Sequence, residues 1–191
     1  MSKGKIAAAV STAVMGIIAA TIGLEGGYVN DPRDPGGETN KGITKKVAVA
    51  HGYTGPMRSI PDEVVQSIYY QDYLVAPGYE PLVALDPAVT AELFDTTVNM
   101  GPARPGRFFQ ESINEICPTA KLKVDGKVGP ATVAAFARCQ RTLLCRAMIP
   151  RLDAKQLAEY DRLVRVNPTL KAFHRGWANH RIGNVPLEKC A

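Results

Sequence analysis

This sequence predicts a mainly α-helical fold with one small β-hairpin or irregular segment, and three observations carry that expectation. Apolar residues recur at helical spacing in a series of stretches after residue 60. Residues 6–24 form a charge-free run of 19 residues. Between the two lies the segment 25–44, reading EGGYVNDPRDPGGETNKGIT; its glycines and prolines cannot continue a helix and must turn. With 191 residues, 46% of them hydrophobic, the chain suits one compact domain or a domain with a small appended lobe, which excludes disorder.

The charge-free run follows Lys3 and Lys5, and its length just meets the requirement for spanning a bilayer. Its apolarity is weak: six alanines, two glycines, Ser11, Thr12 and Thr21 make eleven of the nineteen residues small or mildly polar. Core helix, cleaved signal peptide and transient membrane anchor are the three readings. Beyond the turn-rich segment, residues 45–51 suit a short helix closed by Gly52, and Gly55-Pro56 marks a connection. A clearer helix follows, with Pro61 at a first helical position and Asp62 and Glu63 complementing the positive dipole end. Val64, Val65, Ile68, Tyr69 and Tyr73 repeat along it at near-helical spacing, the tyrosines read as packing residues with sugar platforms as the alternative.

Residues 87–100 read as a helix with Val89, Leu93 and Thr97 on one face and Glu92, Asp95, Thr96 and Asn99 on another, stopped by Gly101-Pro102. That polar stripe is either a solvated face or the lining of a cleft. Residues 105–116 are helical and 117–121 form a turn. Then LKVDGKVGPAT (122–132) combines a short extended piece, an Asp-Gly turn and a Gly-Pro opening to a helix running through Ala134, Phe136 and Leu143. Pro150 is expected to end or kink that helix before residues 152–166. Asn167 caps and Pro168 opens a last helix whose stripe of Leu170, Phe173, Trp177 and Arg181 reads as core.

Glu25 stands where the apolar helix meets the rigid loop, a place suited to a catalytic carboxyl. The segment 25–44 closely resembles the signature of glycoside hydrolase family 108, the N-acetylmuramidase-type phage endolysins and related bacterial wall hydrolases. Phe94-Asp95 with Val98-Asn99, VDGKVGPAT (124–132) and Gly176-Trp177 with Arg181 extend the likeness over roughly residues 15 to 182. VDGKVGPAT is also similar to the Asp-Gly-x-x-Gly-Pro-x-Thr turn of peptidoglycan-binding helical modules; an ordinary loop-to-helix junction is its plain alternative. The resemblance implies a lysozyme-like fold whose proton donor is Glu25. Glycosidic cleavage commonly pairs such an acid with a second carboxylate. Asp34, eight intervening residues on, would balance the oxocarbenium-like charge, and Thr39, four further intervening residues on, would position water. Lysozyme-like phage muramidases share this order, with the spacing to Thr one residue longer. Tyr28, Asn30, Asp95 and Asn99 are expected to bind substrate. Glu38 and Asp31 are rival second carboxylates; in the plain alternative Asp34 only caps a turn and Thr39 only satisfies a loop hydrogen bond.

The expected organisation is a first helix or membrane segment over 1–24, a muramidase region over 25–116 and a peptidoglycan-binding-like helical lobe over 117–191, packed together. The expected activity is hydrolysis of the β-1,4 bond between N-acetylmuramic acid and N-acetylglucosamine, lysing the host cell. A lytic transglycosylase, a non-catalytic wall-binding protein and a DNA-binding protein are the alternatives. A net charge of +5 favours an anionic partner without choosing among them. No nucleophile elbow or phosphate loop occurs, His51, His174 and His180 lie in unrelated contexts, and neither a cofactor nor a metal is expected. Cys117, Cys139, Cys145 and Cys190 lack metal-site spacing and suit disulfides in an exported protein. Cys139 and Cys145, on one expected helix about 9 Å apart, would not pair with each other. The partners expected are peptidoglycan and, transiently, the inner membrane through residues 6–24, with no nucleic acid. The protein would be a monomer, tethered first to the inner membrane and then released to the periplasm.

Overall fold

The computed structural model describes residues 3–23, 25–30, 37–139 and 144–190, with side chains described from Thr12 onward. The fold is mainly helical with one two-stranded antiparallel sheet, the lysozyme-like class that the resemblance implies. The chain forms two compact units, Met1–Val75 and Ala76–Ala191. The sequence boundary at 116–117 falls inside the second, because the helix ending at Ile116 packs on helices from both sides of it.

In the first unit, α1 (Lys3–Ile22) packs against α3 (Asp62–Tyr69). Val14, Ile17, Ile18 and Thr21 are buried at the three- and four-residue spacing of one helix face, whereas Met15, Gly16, Ala19 and Ala20 are exposed. Among the described residues no helix is long and apolar enough to cross a membrane; the start of α1, through Ser11, has no described side chains. Strands β1 (Thr39–Asn40) and β2 (Ile43–Thr44) form the hairpin, pairing Thr39 with Thr44 and Asn40 with Ile43. The two residues between them, Lys41 and Gly42, have φ of 51° and 75°. Positive φ at both positions is what a two-residue turn of type I′ needs to match strand twist. Thr44 then caps α2 (Lys45–Ala50) by accepting the Val47 N–H at 3.3 Å. Pro61 occupies the N-cap of α3 rather than its first position. Past Tyr69 the helix widens into a π-helical segment, Tyr70–Val75.

The second unit holds α4 (Glu80–Val83), α5 (Pro87–Met100), α6 (Ala103–Ile116), α7 (Pro130–Cys139), α8 (Leu144–Val166) and α9 (Lys171–Arg181). Helix α5 starts and stops where its Pro and Gly-Pro signals put it, with Asp86 accepting the Val89 N–H at 3.0 Å. Helix α8 lies against α5, α6 and α9, and Phe94, Phe109, Phe136, Met148 and Tyr160 fill the core among them. Pro150 neither ends α8 nor begins it: the helix runs through it. Pro150 and Arg146, whose carbonyl loses its helical donor, are both exposed, so solvent can satisfy that carbonyl.

Residues 122–129 form no strand; they are irregular and held by α6. Gln110 accepts the N–H groups of Asp125 (3.0 Å) and Gly126 (2.8 Å) and donates to the Asp125 carboxylate and the Lys127 carbonyl, both at 3.0 Å. A methyl on Gly106 would lie 2.3 Å from the Gly126 carbonyl oxygen, so the Asp-Gly turn can press directly on the α6 backbone. Disulfides join Cys117 to Cys139 and Cys145 to Cys190. Cys139 and Cys145 do not pair; Cys139 is the last residue of α7 and Cys145 lies in the first turn of α8, and residues 140–143 between them lie outside the described residues. Leu143, expected in the continuing helix, lies outside the described residues. The stripe on α9 is not core: no residue of α9 is buried and Phe173 is 57% exposed. Helix α9 packs mainly on α8 and the short Pro168–Leu170 turn, which cover one side of it.

Candidate active site

Glu25 follows α1 by one turn, its N–H donating to the Ile22 carbonyl at 3.1 Å. It is half-buried, and its carboxylate lies over the tip of the hairpin. A methyl placed on Gly42 would stand 3.0 Å from Glu25 Oε2, 3.1 Å from its Cγ and 2.4 Å from the Tyr69 hydroxyl. The acid and the phenol therefore occupy the space that any side chain at residue 42 would need. Tyr69 is 1% exposed and donates to the Lys41 carbonyl at 3.0 Å, which ties the turn to α3. Its ring lies 5.2 Å from that of Tyr73, in the π-helical segment, a helix irregularity common at functional sites. Burial first, then the carboxylates of Asp72 and Glu25, push the Tyr73 phenol up, so it stays a neutral hydroxyl near the acid.

Gly26 and Gly27 follow the acid. Neither has a left-handed φ, and a methyl on either would meet nothing within 4 Å. Backbone conformation and crowding thus leave these glycines unexplained, and each leaves open space at its own α-carbon.

Val29 and Thr39 exchange N–H to carbonyl bonds of 2.8 and 2.9 Å, an antiparallel bridge that ties Val29 to β1. Asp31 and Asp34 lie outside the described residues. Thr39 Oγ1 donates to the Gly37 carbonyl at 3.1 Å, and Asn30 is exposed. Tyr28 donates to Glu38 Oε1 at 2.9 Å, Lys45 donates to Glu38 Oε2 at 3.1 Å, and the Arg58 guanidinium sits 4.2 Å above the Tyr28 ring. The Lys45 and Tyr28 hydrogen bonds hold the Glu38 carboxyl below its usual range, so this rival carboxylate is ionised and engaged. Asn40, buried, donates to the Met57 and Arg58 carbonyls at 2.8 and 3.3 Å, fixing the hairpin to the turn that precedes α3.

Asp95 and Asn99 belong to the second unit. Asp95 is buried; Arg181 donates to its Oδ1 at 2.6 Å and Asn184 to its Oδ2 at 2.8 Å. Asn99 Oδ1 accepts the Tyr160 hydroxyl at 2.7 Å. The polar stripe of α5 is therefore neither solvated nor free, since Glu92 and Thr96 are buried as well and Thr96 reaches Gln156 at 3.3 Å. Burial, then the charges of Asp153 and Asp95, raise the Glu92 carboxyl well above its ordinary value, and its Oε2 has no hydrogen-bond partner.

Sequence reasoning singled out Glu25, Tyr28, Asn30 and Thr39, and the first unit carries all four. It missed Gly42 and read Tyr69 as a packing residue in preference to a sugar platform. The available signal was Asn-Lys-Gly-Ile, a turn pair between two strand-like residues. No group of His, Cys, Asp and Glu among the described residues is arranged to hold a metal.

Residues 18–101 match the family described as Glycosyl hydrolase 108, and residues 104–182 match that described as Predicted Peptidoglycan domain. No curated protein sequence matches the chain. A solved structure titled "Structure of Brucella abortus SagA" is 25% identical, with a TM-score of 0.66 over 98% of this chain and 95% of that one.

Proposed function

We propose that this chain, a glycosyl hydrolase 108 protein carrying a predicted peptidoglycan domain, cleaves the β-1,4 bond between N-acetylmuramic acid and N-acetylglucosamine as an endolysin. Glu25 is the general acid. The observation that carries this reading is the seating of its carboxylate over Gly42, between a helix end and a two-residue turn, with open space beside Gly26 and Gly27. Such a seat fixes the carboxyl relative to a bound glycan, and proton transfer from a positioned acid gives roughly 10²- to 10⁴-fold in rate. Asp34 is the second carboxylate, facing the positive charge that develops at the anomeric carbon. Thr39, on β1, positions water. Tyr28, Asn30, Asp95 and Asn99 bind substrate or hold the elements that do.

Mass spectrometry of fragments released from purified sacculi tests the reading. Reducing-end N-acetylmuramic acid from the parent protein, with release lowered by two or more orders of magnitude in folded Glu25→Gln, is the expected result. Anhydro sugars would make the protein a lytic transglycosylase, free peptides would exclude glycosidic cleavage, and a fully active Glu25→Gln would remove Glu25 from the chemistry.

A further inference from the structure

The second unit carries an aromatic row that its own packing does not use up. Tyr160 of α8 is buried at 1% exposure, and the Trp177 ring stacks on it with centroids 5.3 Å apart and an interplanar angle of 29°. Phe173 stacks in turn against Trp177 at 6.1 Å and 23°, and Phe173 is 57% exposed. The row thus begins in the core and ends in solvent, its rings nearly parallel. A phenylalanine left more than half open at the end of a stack loses apolar burial that an ordinary polar residue would not need.

The neighbouring glycine has the same character. Gly176 sits inside α9, where glycine is about 1 kcal/mol worse than alanine. Its φ is not left-handed, and a methyl there would meet nothing within 4 Å. Neither backbone geometry nor crowding calls for glycine. Residue 176 follows Phe173 by three positions and so shares its helix face, and the missing side chain keeps a gap open beside the exposed ring. Helix α9 also carries the exposed Lys171 and Arg175 and no acidic residue, while its Arg181 is engaged with Asp95.

We propose that the outer end of this row, Phe173 with the gap at Gly176, is a saccharide-stacking surface that takes the glycan strand of peptidoglycan. The proposal rests on the peptidoglycan reading above and gives it a second contact outside the catalytic unit. The C–H face of a pyranose ring is apolar and flat, matching an exposed aromatic ring in size and polarity. The cationic helix complements the lactyl and stem-peptide carboxylates that the same strand bears. Trp177, held from behind by Tyr160, backs Phe173 and keeps its ring in place.

The chain has one tryptophan, so tryptophan emission, excited selectively over the tyrosines, reports on this row alone. Full-length protein is titrated with the N-acetylglucosamine hexamer, and sedimentation with purified sacculi is measured in parallel on the Glu25→Gln background. The parent should show a saturable change in Trp177 emission. Phe173→Ala and Gly176→Leu should each weaken hexamer binding and sacculus sedimentation about tenfold. The melting temperature should stay unchanged for the first and stay or rise for the second, since leucine is the better helix former. Variants that sediment with sacculi as the parent does would overturn the proposal. So would loss of binding to phosphatidylglycerol vesicles, or loss of a concentration-dependent dimer, with saccharide binding intact. The two readings separate cleanly: binding by the row with no bond cleavage from the parent sinks the hydrolase and not the surface, and cleavage with variants that bind normally does the reverse.

Discussion

The carboxylate of Glu25 and the α-carbon of Gly42 are in such close register that a methyl group on residue 42 would stand 3.0 Å from Oε2. Glycine is needed there twice over, once for a φ of 75° and once for the room that Glu25 and Tyr69 fill. Forcing a side chain into a left-handed conformation costs roughly 1–2 kcal/mol, and displacing a reacting group by about 1 Å can cost about 10²-fold in rate.

Gly42→Ala should therefore lose more stability than the ~1–2 kcal/mol that the left-handed φ alone costs, because of the added crowding, and about 10²-fold of lytic rate. Gly52 provides the control: its φ is 86°, and a methyl there meets nothing within 4 Å. Gly52→Ala should show only the φ cost and keep the rate. Denaturant melts and turbidity assays on both variants measure the two effects, and equal rates for the pair would mean that the seat of Glu25 does not matter.

The proposed function takes Asp34 rather than Glu38 as the second carboxylate, Glu38 being engaged with Tyr28 and Lys45. Asp34→Asn should abolish most lysis in a folded protein. Glu38→Gln should keep most of it, since exposed ion pairs contribute little to stability. Normal lysis by Asp34→Asn together with failure of Glu38→Gln would transfer the role to Glu38.

Local signals were legible wherever the chain punctuates itself. Helix α5 runs from Pro87 to Met100 because Asp86-Pro87 and Gly101-Pro102 bracket it, and the hairpin was legible in the glycine-rich segment. What could not be read were partners distant in sequence. The stripe of Glu92, Asp95, Thr96 and Asn99 has the same periodicity whether it faces water or Arg181, 86 residues away from Asp95. Likewise Tyr69 lies 28 residues from the carbonyl it holds at Lys41, so helical spacing marked it as packing or a sugar platform and not as a brace for the turn. On α9 the stripe was correct in period, but periodicity does not say whether a second layer covers it.

Glu92 makes stability fall as pH rises. Its folded carboxyl is raised well above the ordinary 4.5 by burial and by Asp153 and Asp95. Above about 4.5 the unfolded chain gives up the Glu92 proton while the folded chain keeps it, so the native state binds more protons there and loses ground with each pH step. Below that value both states are protonated and the penalty is absent. Glu92→Gln removes the titration, so its melting temperature relative to the parent should climb from pH 4 to pH 7. A difference independent of pH would show that Glu92 does not titrate between the two states.

Residues 6–24 carry the last prediction, that they insert in the inner membrane as a signal-arrest-release segment and later leave it to become α1. The run is long enough to span, Lys3 and Lys5 supply the cytoplasmic positive flank, and its alanines, glycines and hydroxyl residues keep its apolarity low. In the folded enzyme the same stretch buries Val14, Ile17, Ile18 and Thr21 on one face and exposes Met15, Gly16, Ala19 and Ala20 on the other. An inserted helix cannot also pack on α3 or hold Glu25 over Gly42, so the tethered protein would be exported and inactive. Because a methyl on Gly16 meets nothing within 4 Å and Ala20 is exposed, leucines at both positions should leave the released enzyme intact while making the span harder to extract. Fractionation should find parent protein, uncleaved, first in the membrane and later soluble in the periplasm, faster when the membrane is de-energised. Gly16→Leu with Ala20→Leu should stay in the membrane and delay lysis. Full-length parent found only in the cytosol, or a mature N-terminus beyond residue 20, would rule the mechanism out, the second because cleavage there removes the helix that holds the acid.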